Sequence, residues 1–383
     1  MSEAKPLGGR IFTLPFLFGV LILLIALFFL AKRFIYGLGP VTGMNDGFPW
    51  GLWIAFDVNV GTAFACGGYA MAILIYIFNK GEFSPLLKPA ILTSMFGYIL
   101  GGVSVGIDIG RYWQMYNIFL PKYMNIHSAM LEVALCIATY CLILVIEFSP
   151  AVLKRFKLKN IEQKLNRVLF VFVALGLLLP TMHQSSLGTL VVLAGSKLSP
   201  LWWTKLLPLL FLFSAILLGY AIVVFETSIT SVAFHNQKEL KLLNKISNIV
   251  VWLVPIFLII RLQQVIAQGA LDQIFQGDLI GNVFLMENIL LIISLFFLVP
   301  SQNRKNPKTV FWGAFFVMLG TAMYRFNAYI TGYSPAGGNW HYFPSTPEVM
   351  ITLGIVTIEI LGYLTLVKLF PVLALPTKKE KAA

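Results

Sequence analysis

The sequence LLLPTMHQSSLGTL, residues 177–190, places a proline, a histidine, a glutamine and two serines inside a long apolar run. A run of about 20 apolar residues is long enough to cross the hydrocarbon core of a bilayer as a helix. Proline frees a backbone carbonyl in the preceding turn, and polar groups at membrane depth are tolerated only against protein or water. This stretch therefore predicts a membrane-spanning helix that faces a polar site inside the protein.

Similar apolar runs recur along the whole chain. Hydrophobic residues make up 58% of the 383 residues and charged residues only 11%, too little polar surface to cover a water-soluble globule. The pattern predicts an all-α integral membrane protein, built as a single polytopic domain of helix bundles. The ten predicted spans are 11–36, 50–78, 86–108, 124–148, 166–195, 203–229, 246–268, 280–299, 309–330 and 347–371.

The basic residues predict the orientation of these spans. Lys and Arg residues cluster in alternate loops, on the side of the two termini, most densely between Lys154 and Arg167. By the positive-inside rule, both termini lie on the cytoplasmic side. The net charge of +12 is spread over short loops, without a basic face that carries interleaved aromatic residues, so we do not expect nucleic-acid binding.

Polar and ionisable residues inside the spans are functional candidates, because burying them in hydrocarbon is costly. Four successive spans carry such residues in their predicted outer halves. They are Asp57 and Asn59 in the second span, Asp108 and Arg111 at the end of the third, Glu132 in the fourth, and His183, Gln184 and Ser185 in the fifth. We therefore expect a polar pocket near the outer face.

Each of these residues also has a structural interpretation. Asp108 and Arg111 have the spacing of a salt bridge at a helix end. Asp57 or Glu132 could be a buried acid that is bonded to a serine or a backbone group, and His183 could make an ordinary interhelical hydrogen bond. Glu359 lies deeper in the tenth span, and together with Glu147 it could form part of a proton path across the membrane.

The histidines and cysteines determine which cofactors we expect. A haem between helices needs two axial ligands, and of the four histidines only His183 lies at depth in a predicted span. The cysteines, Cys66, Cys136 and Cys141, form no CxxC pair. We therefore expect neither a haem nor an iron–sulfur cluster in this chain, and no metal site.

Several long motifs occur in order along the chain: NDGFPWGLWIAFD at 45–57, GTAFACGG at 61–68, FGYILGG at 96–102, IDIGRYW at 107–113 and LLPTMHQSSLGTL at 178–190. Together they closely resemble the membrane subunits of hydrogenase-2-type complexes (HybB type), within the NrfD/polysulfide-reductase family. The resemblance implies a haem-free, multi-pass subunit of the bacterial cytoplasmic membrane that binds menaquinone or ubiquinone. It also implies a periplasmic ferredoxin-like iron–sulfur partner, bound in turn to the large and small subunits of a nickel–iron hydrogenase.

The resemblance implies a function for the polar residues of the outer half. Electrons would pass between the iron–sulfur partner and the quinone pool, with coupled proton transfer; proton translocation across the membrane is an option that the resemblance leaves open. The residues expected to bind quinone or donate protons are His183, Gln184, Glu132 and Asp57, and those expected to support the pocket are Asp108, Arg111, Asn59 and Ser185. The alternative is a proton-coupled transporter whose substrate site is lined by the polar groups around Pro180.

Overall fold

The computed structural model describes residues 5–234, 237–335 and 340–373, and this part of the chain contains ten helices that are long and apolar enough to cross a membrane. We number them α1 to α10 in chain order. They are α1 Leu14–Tyr36, α2 Trp53–Ile77, α3 Ser84–Asp108, α4 Ala129–Arg155, α5 Lys159–Val192, α6 Leu207–Phe234, α7 Gln237–Ala267, α8 Leu279–Leu298, α9 Pro307–Tyr329 and α10 Thr346–Leu369. Each coincides with a predicted span, so the all-α membrane fold is confirmed.

Local signals in the sequence fix where several helices begin. Asp278 caps α8 by accepting a hydrogen bond from Gly281 N at 2.8 Å. Asn306 caps α9 ahead of Pro307, and proline suits the first turn of a helix because its missing N–H has no partner there. Ser345 opens α10 in a reciprocal capping box with Glu348. Pro180 does not end α5, which continues through it to Val192.

The helices pack as two four-helix bundles and a flanking pair. The first bundle contains α2 to α5 and the second contains α6 to α9. Helix α6 joins the bundles by packing against both α5 and α2, and α9 also contacts α2. Helices α1 and α10 pack on each other, and α10 packs on α3. The centre of the molecule is therefore the junction of α2, α5, α6 and α9.

Helix α2 is the most buried of the ten and the least regular. It contains two π-helical stretches, Trp53–Val58 and Ile73–Ile77, with short α-helical pieces between them. Its backbone lies very close to its neighbours, since a Cβ built on Gly219 of α6 would be 2.4 Å from the Cys66 carbonyl oxygen. Irregular backbone of this kind at membrane depth is stable only inside protein.

Large apolar side chains cover the outside of the molecule. On α1 the exposed ones include Leu17, Phe18, Leu21, Leu24 and Phe28. Such a surface is stable in lipid and not in water. The starts of α2, α4, α6, α8 and α10 share one end of the molecule, which we call the outer end because the charge pattern predicts that it faces outward. That orientation stays a prediction.

Candidate functional site

The centre of the molecule holds a fully buried guanidinium, that of Arg325 on α9. Its Nε donates to the Asn59 carbonyl at 2.8 Å, and its Nη2 donates to Gln184 Oε1 at 2.6 Å. Its Nη1 donates to the Phe211 carbonyl and to Ser214 Oγ, both at 2.9 Å. Asn59 returns a bond from its Nδ2 to the Arg325 carbonyl at 2.9 Å. The Arg325 side chain, on α9, is thus hydrogen-bonded to residues of α2, α5 and α6.

The polar residues of α5 belong to this network. Gln184 Nε2 donates to Thr62 Oγ1 at 3.1 Å and to the Tyr98 hydroxyl at 3.2 Å. His183 Nε2 lies 3.2 Å from the same Thr62 hydroxyl. Its Nδ1 has no hydrogen-bond partner among the described residues. His183 and Gln184 are fully buried, so the stretch that interrupts the apolar run connects the two bundles.

A cavity of about 430 Å³, which we call the outer cavity, lies near the outer end of the first bundle. Its wall combines apolar and aromatic residues, among them Trp50, Val133, Leu187 and Tyr329. Its polar lining residues are Asp108, Asn117, Tyr123, Asn125 and Ser128. His183 and Gln184 do not line this cavity. They lie instead in the Arg325 network, where Thr62, Tyr98 and Arg325 bind His183 Nε2 and the Gln184 amide.

Asp108 is the acid that the structure brings to the outer cavity. Its Oδ1 is buried and has no hydrogen-bond partner in the described part of the chain. Arg33 of α1 donates to the carbonyls of Ile107 and Ile109, both at 2.6 Å, and is close enough to interact electrostatically with Asp108. Arg111 is exposed and does not line the cavity. Arg33 therefore occupies the helix-end position expected for Arg111, and the sequence analysis did not single it out.

Three further predicted residues lie elsewhere. Glu132 is half-buried on α4, and it is absent from the cavity wall although Leu131 and Val133 belong to it. The Ser185 hydroxyl bonds to carbonyls of its own helix. Asp57 faces away from the outer cavity. The outer cavity therefore does not bring these three residues together, because neighbouring positions on a helix point in different directions.

Asp57 lines a second and larger space of about 660 Å³, which we call the lateral cavity. Its Oδ2 accepts from Ser104 Oγ at 3.1 Å and from Thr352 Oγ1 at 3.3 Å. Glu226 and Glu359 line the same cavity, and Glu226 Oε1 accepts from Thr93 Oγ1 at 2.6 Å. The lateral cavity thus collects three acids from α2, α6 and α10.

Glu147 does not join these acids. Its Oε1 lies 2.6 Å from the place where a Cβ on Gly176 would stand, so it sits against α5 within the first bundle. It is absent from the lining of the lateral cavity. The structure does not bring Glu147 to Glu359, and Glu226 is the acid that shares a cavity with Glu359.

The second bundle contains a buried ion pair that sequence reasoning also missed. Arg261 Nη1 lies 2.6 Å from Glu287 Oε1, and both side chains are almost completely buried. Trp202 Nε1 and Asn327 Nδ2 donate to the same carboxylate at 3.1 and 2.6 Å. The Arg261 guanidinium also stacks 4.3 Å from the Tyr324 ring centroid. The signal in the sequence that could have revealed this pair was Glu287, an acid inside the predicted span 280–299.

The carboxylate of Glu348 connects the loops at the outer end of the first bundle. Glu348 Oε2 accepts from the backbone N–H groups of Gly43 and Ser345, both at 2.8 Å. Its Oε1 accepts from the Tyr342 hydroxyl at 2.7 Å. Burial, together with this bond, raises the pKa of Tyr342 well above its usual value, so the phenol stays a donor. These contacts hold the start of α10 against the segment before α2.

Comparisons with known proteins cover nearly the whole chain. The family model described as polysulphide reductase, NrfD, matches residues 40–335, which include both bundles. The probable Ni/Fe-hydrogenase 2 b-type cytochrome subunit of Escherichia coli (strain K12) is 40% identical over 97% of this chain and 95% of its own length. The integral membrane subunit of menaquinone reductase from Nitratidesulfovibrio vulgaris is 35% identical over 40% of this chain and 37% of its own. A selenate reductase subunit from Mesobacillus selenatarsenatis is 22% identical over 84% and 86% of the two chains.

The name of the Escherichia coli relative corrects one expectation. It is a b-type cytochrome subunit, which points to haem and contradicts the absence of haem predicted from the histidine count. A haem between helices calls for axial ligands on facing helices. Of the described histidines, His127 and His341 are exposed and His183 alone is buried, while His235 lies outside the described residues. The described residues do not supply a facing pair of imidazoles, and we derive no step through a haem.

Proposed function

Because the chain belongs to the NrfD/polysulfide-reductase family, we propose that it is the quinone-reactive membrane subunit of a redox complex. In this role it exchanges electrons between an iron–sulfur partner and the quinone pool. The name of the menaquinone reductase relative supports a quinone as the substrate. The outer cavity is the observation that carries the proposal.

The outer cavity has the size and wall that a quinone ring requires. Its volume of about 430 Å³ is typical of small-molecule sites, which are mostly apolar with a few well-placed polar groups. Trp50 and Tyr329 form a fixed aromatic wall, with ring centroids 4.7 Å apart and a bond of 2.8 Å from Trp50 Nε1 to the Tyr329 carbonyl. A flat apolar ring can pack against this wall.

The polar lining residues suit the carbonyl ends of such a ring. Ser128 and Asn125 carry hydrogen-bond donors, and Asp108 presents a carboxyl oxygen without a partner among the described residues. Reduction of a quinone by two electrons takes up two protons, and hydrocarbon supplies none. Asp108 is the titratable carboxyl group of the cavity, and Asn125 and Tyr123 are exposed at its rim. We therefore assign Asp108 as the group that exchanges protons between the ring and the water at the outer end.

The names of the relatives support the proposed partners. The Escherichia coli relative is named for a Ni/Fe-hydrogenase, so the proposed complex contains a nickel–iron hydrogenase and an iron–sulfur protein that docks at the outer end, in the periplasm. The segment Tyr112–Phe119 covers that side of the outer cavity, and Trp113, Tyr116 and Phe119 on it are exposed. An aromatic surface next to the cavity is a suitable docking site, because aromatic residues are enriched at interfaces. The proposed membrane is the bacterial cytoplasmic membrane.

Binding of a quinol analogue tests the site without any partner. We expect Ala134→Trp to abolish fluorescence quenching of 2-heptyl-4-hydroxyquinoline N-oxide by the purified chain, because Ala134 lines the cavity and an indole fills it. Thr139→Trp is the matched control, since Thr139 is exposed on the same helix. Asp108→Asn should weaken binding about tenfold, as expected for the loss of about 1.4 kcal/mol of hydrogen bonding. Equal binding by the wild type and Ala134→Trp would place the quinone elsewhere.

Purification from native membranes tests the partners. We expect the chain to co-elute with iron, acid-labile sulfur and nickel, and with a bound quinone. A chain that elutes without a metalloprotein, and that takes up a solute into proteoliposomes against a proton gradient, would support the transporter instead.

A further inference from the structure

Two apolar spaces flank α10 near the end of the molecule opposite the outer end, which we call the inner end. One is the lateral cavity of about 660 Å³, which lies here between α10 and α6. The other is a groove of about 130 Å³ between α1 and α10, which we call the α1 groove. Ile360 and Leu364 of α10 line both spaces. A molecule with two apolar chains can therefore straddle α10, with one chain on each side.

The lateral cavity suits hydrocarbon, because most of the side chains that line it are apolar. Those nearest the inner end are Leu7, Ile229, Ala233, Leu364, Val367 and Leu373. Ile229 on α6 and Leu364 on α10 are 49% and 46% exposed, so the cavity opens between these two helices toward the surrounding lipid. Glu226 also lines it, and its Oε1 is bonded to the Thr93 hydroxyl. An acyl chain that enters from the bilayer keeps this apolar wall out of water.

Three basic residues, Lys5, Arg10 and Lys368, lie at the inner end of α10, and we call them the basic rim. The backbone N–H of Lys5 donates to the carbonyl of Leu373, which lines the lateral cavity. The Lys368 side chain donates to the Arg10 carbonyl and lines the α1 groove. The basic rim therefore extends from the mouth of one apolar space to the mouth of the other.

We propose that the inner end of α10 binds an anionic phospholipid of the phosphatidylglycerol type. Its phosphate lies on the basic rim, and one acyl chain enters the lateral cavity. The second chain starts in the α1 groove and continues along the exposed apolar face of α1, which includes Leu17 and Leu21. Basic side chains between membrane helices attract anionic headgroups, which a zwitterionic headgroup does not match.

The bound lipid has a structural consequence for α10. This helix packs on α1 and α3, and the lateral cavity lies between it and α6. An acyl chain in the cavity supplies the contacts between α10 and the second bundle that side chains do not make there. The inference is independent of the proposed quinone site, because none of the residues of the basic rim lines the outer cavity.

Native mass spectrometry of the purified chain tests the headgroup. In titrations with phosphatidylglycerol and phosphatidylethanolamine of identical acyl chains, we expect the chain to retain phosphatidylglycerol more tightly. Arg10→Gln should weaken its binding about fivefold, and the triple variant with Lys5→Gln and Lys368→Gln about 100-fold, because each basic residue near an anionic headgroup contributes a similar factor. Equal retention of the two lipids by the wild-type chain would overturn the proposal.

A second triple variant is the matched control for charge. Lys241→Gln, Lys305→Gln and Lys308→Gln remove three exposed charges at the starts of α7 and α9, and none of them lines the lateral cavity or the α1 groove. This variant should retain phosphatidylglycerol as the wild-type chain does. Equal losses in the two triple variants would show that net charge, and not the basic rim, attracts the lipid, and would overturn the assignment.

The acyl chains are tested by a bulky side chain in the lateral cavity. The wild-type chain should bind phosphatidylglycerol more tightly than its one-chain lyso form, and Ala233→Trp should remove this difference, because the indole occupies the mouth of the cavity. Val232→Trp is the control, since Val232 is exposed at the next position and does not line this cavity. A variant Ala233→Trp that keeps phosphatidylglycerol but loses a co-purified quinone would overturn the proposal, because the cavity would then hold a quinone tail.

Discussion

Replacement of Arg325 by methionine tests the idea that one guanidinium holds the two bundles together. Methionine is similar in length but carries no donor. The substitution leaves two buried acceptors without their donor, Gln184 Oε1 and the Asn59 carbonyl oxygen. The Phe211 carbonyl keeps a bond of 2.8 Å from the Ser214 hydroxyl, so it is not orphaned.

The expected size of the effect follows from these contacts. A buried acceptor that loses its donor costs about 1–3 kcal/mol, which gives about 2–6 kcal/mol for two. Removal of the charge recovers part of the cost of keeping a guanidinium out of water, so we expect a loss in the lower half of that range, about 2–3 kcal/mol. In the double-mutant cycle of Arg325→Met with Gln184→Met, the coupling should be about 1–2 kcal/mol, near the upper end of values measured in membrane proteins.

The free energy of unfolding can be measured by titration of the purified chain with sodium dodecyl sulfate in mixed micelles. Arg111→Met is the control, since Arg111 is exposed and its replacement should change this free energy by less than about 0.5 kcal/mol. Equal free energies of unfolding for Arg325→Met and Arg111→Met would show that the network does not join the bundles. The same conclusion would follow if the destabilisations by Arg325→Met and Gln184→Met were additive.

Two further predictions concern close backbone approach and the loops of the outer end. Gly219→Ala should destabilise the chain by about 1–3 kcal/mol in the same titration, because its Cβ would stand 2.4 Å from a backbone oxygen of α2. Gly106→Ala, whose Cβ meets nothing nearer than 4.0 Å, should not destabilise it, and equal losses for the two would contradict the packing argument. Glu348→Gln should speed hydrogen exchange at the amides of Gly43 and Ser345 about 10-fold, since glutamine has one uncharged acceptor oxygen and cannot accept from the Tyr342 hydroxyl as well as from these two N–H groups. Unchanged exchange would show that the carboxylate does not hold these loops.

The sequence predicted the membrane spans because the bilayer imposes a length and a composition on any helix that crosses it. The ten apolar runs became the ten helices, and the family resemblance carried by motifs such as IDIGRYW at 107–113 is confirmed by the comparisons. The sequence also indicated that His183 and Gln184 face the interior of the protein, because hydrocarbon does not satisfy such residues, and both are buried. The spans and the buried polar residues follow from local composition, and the family follows from ordered motifs; neither needs the tertiary structure.

The tertiary structure decided which residues share a site. Asp57 and Glu132 lie in spans that converge at the outer end, yet neither lines the outer cavity, whereas Asp108 does. On α2 the reason is local, since the π-helical stretch Trp53–Val58 changes the direction of each side chain relative to a regular helix. For Arg325 and Gln184 the reason is long-range, because the contact joins helices of different bundles. No short sequence pattern specifies such a partner, and only the packing of α5 against α6 and α9 brings the two side chains together.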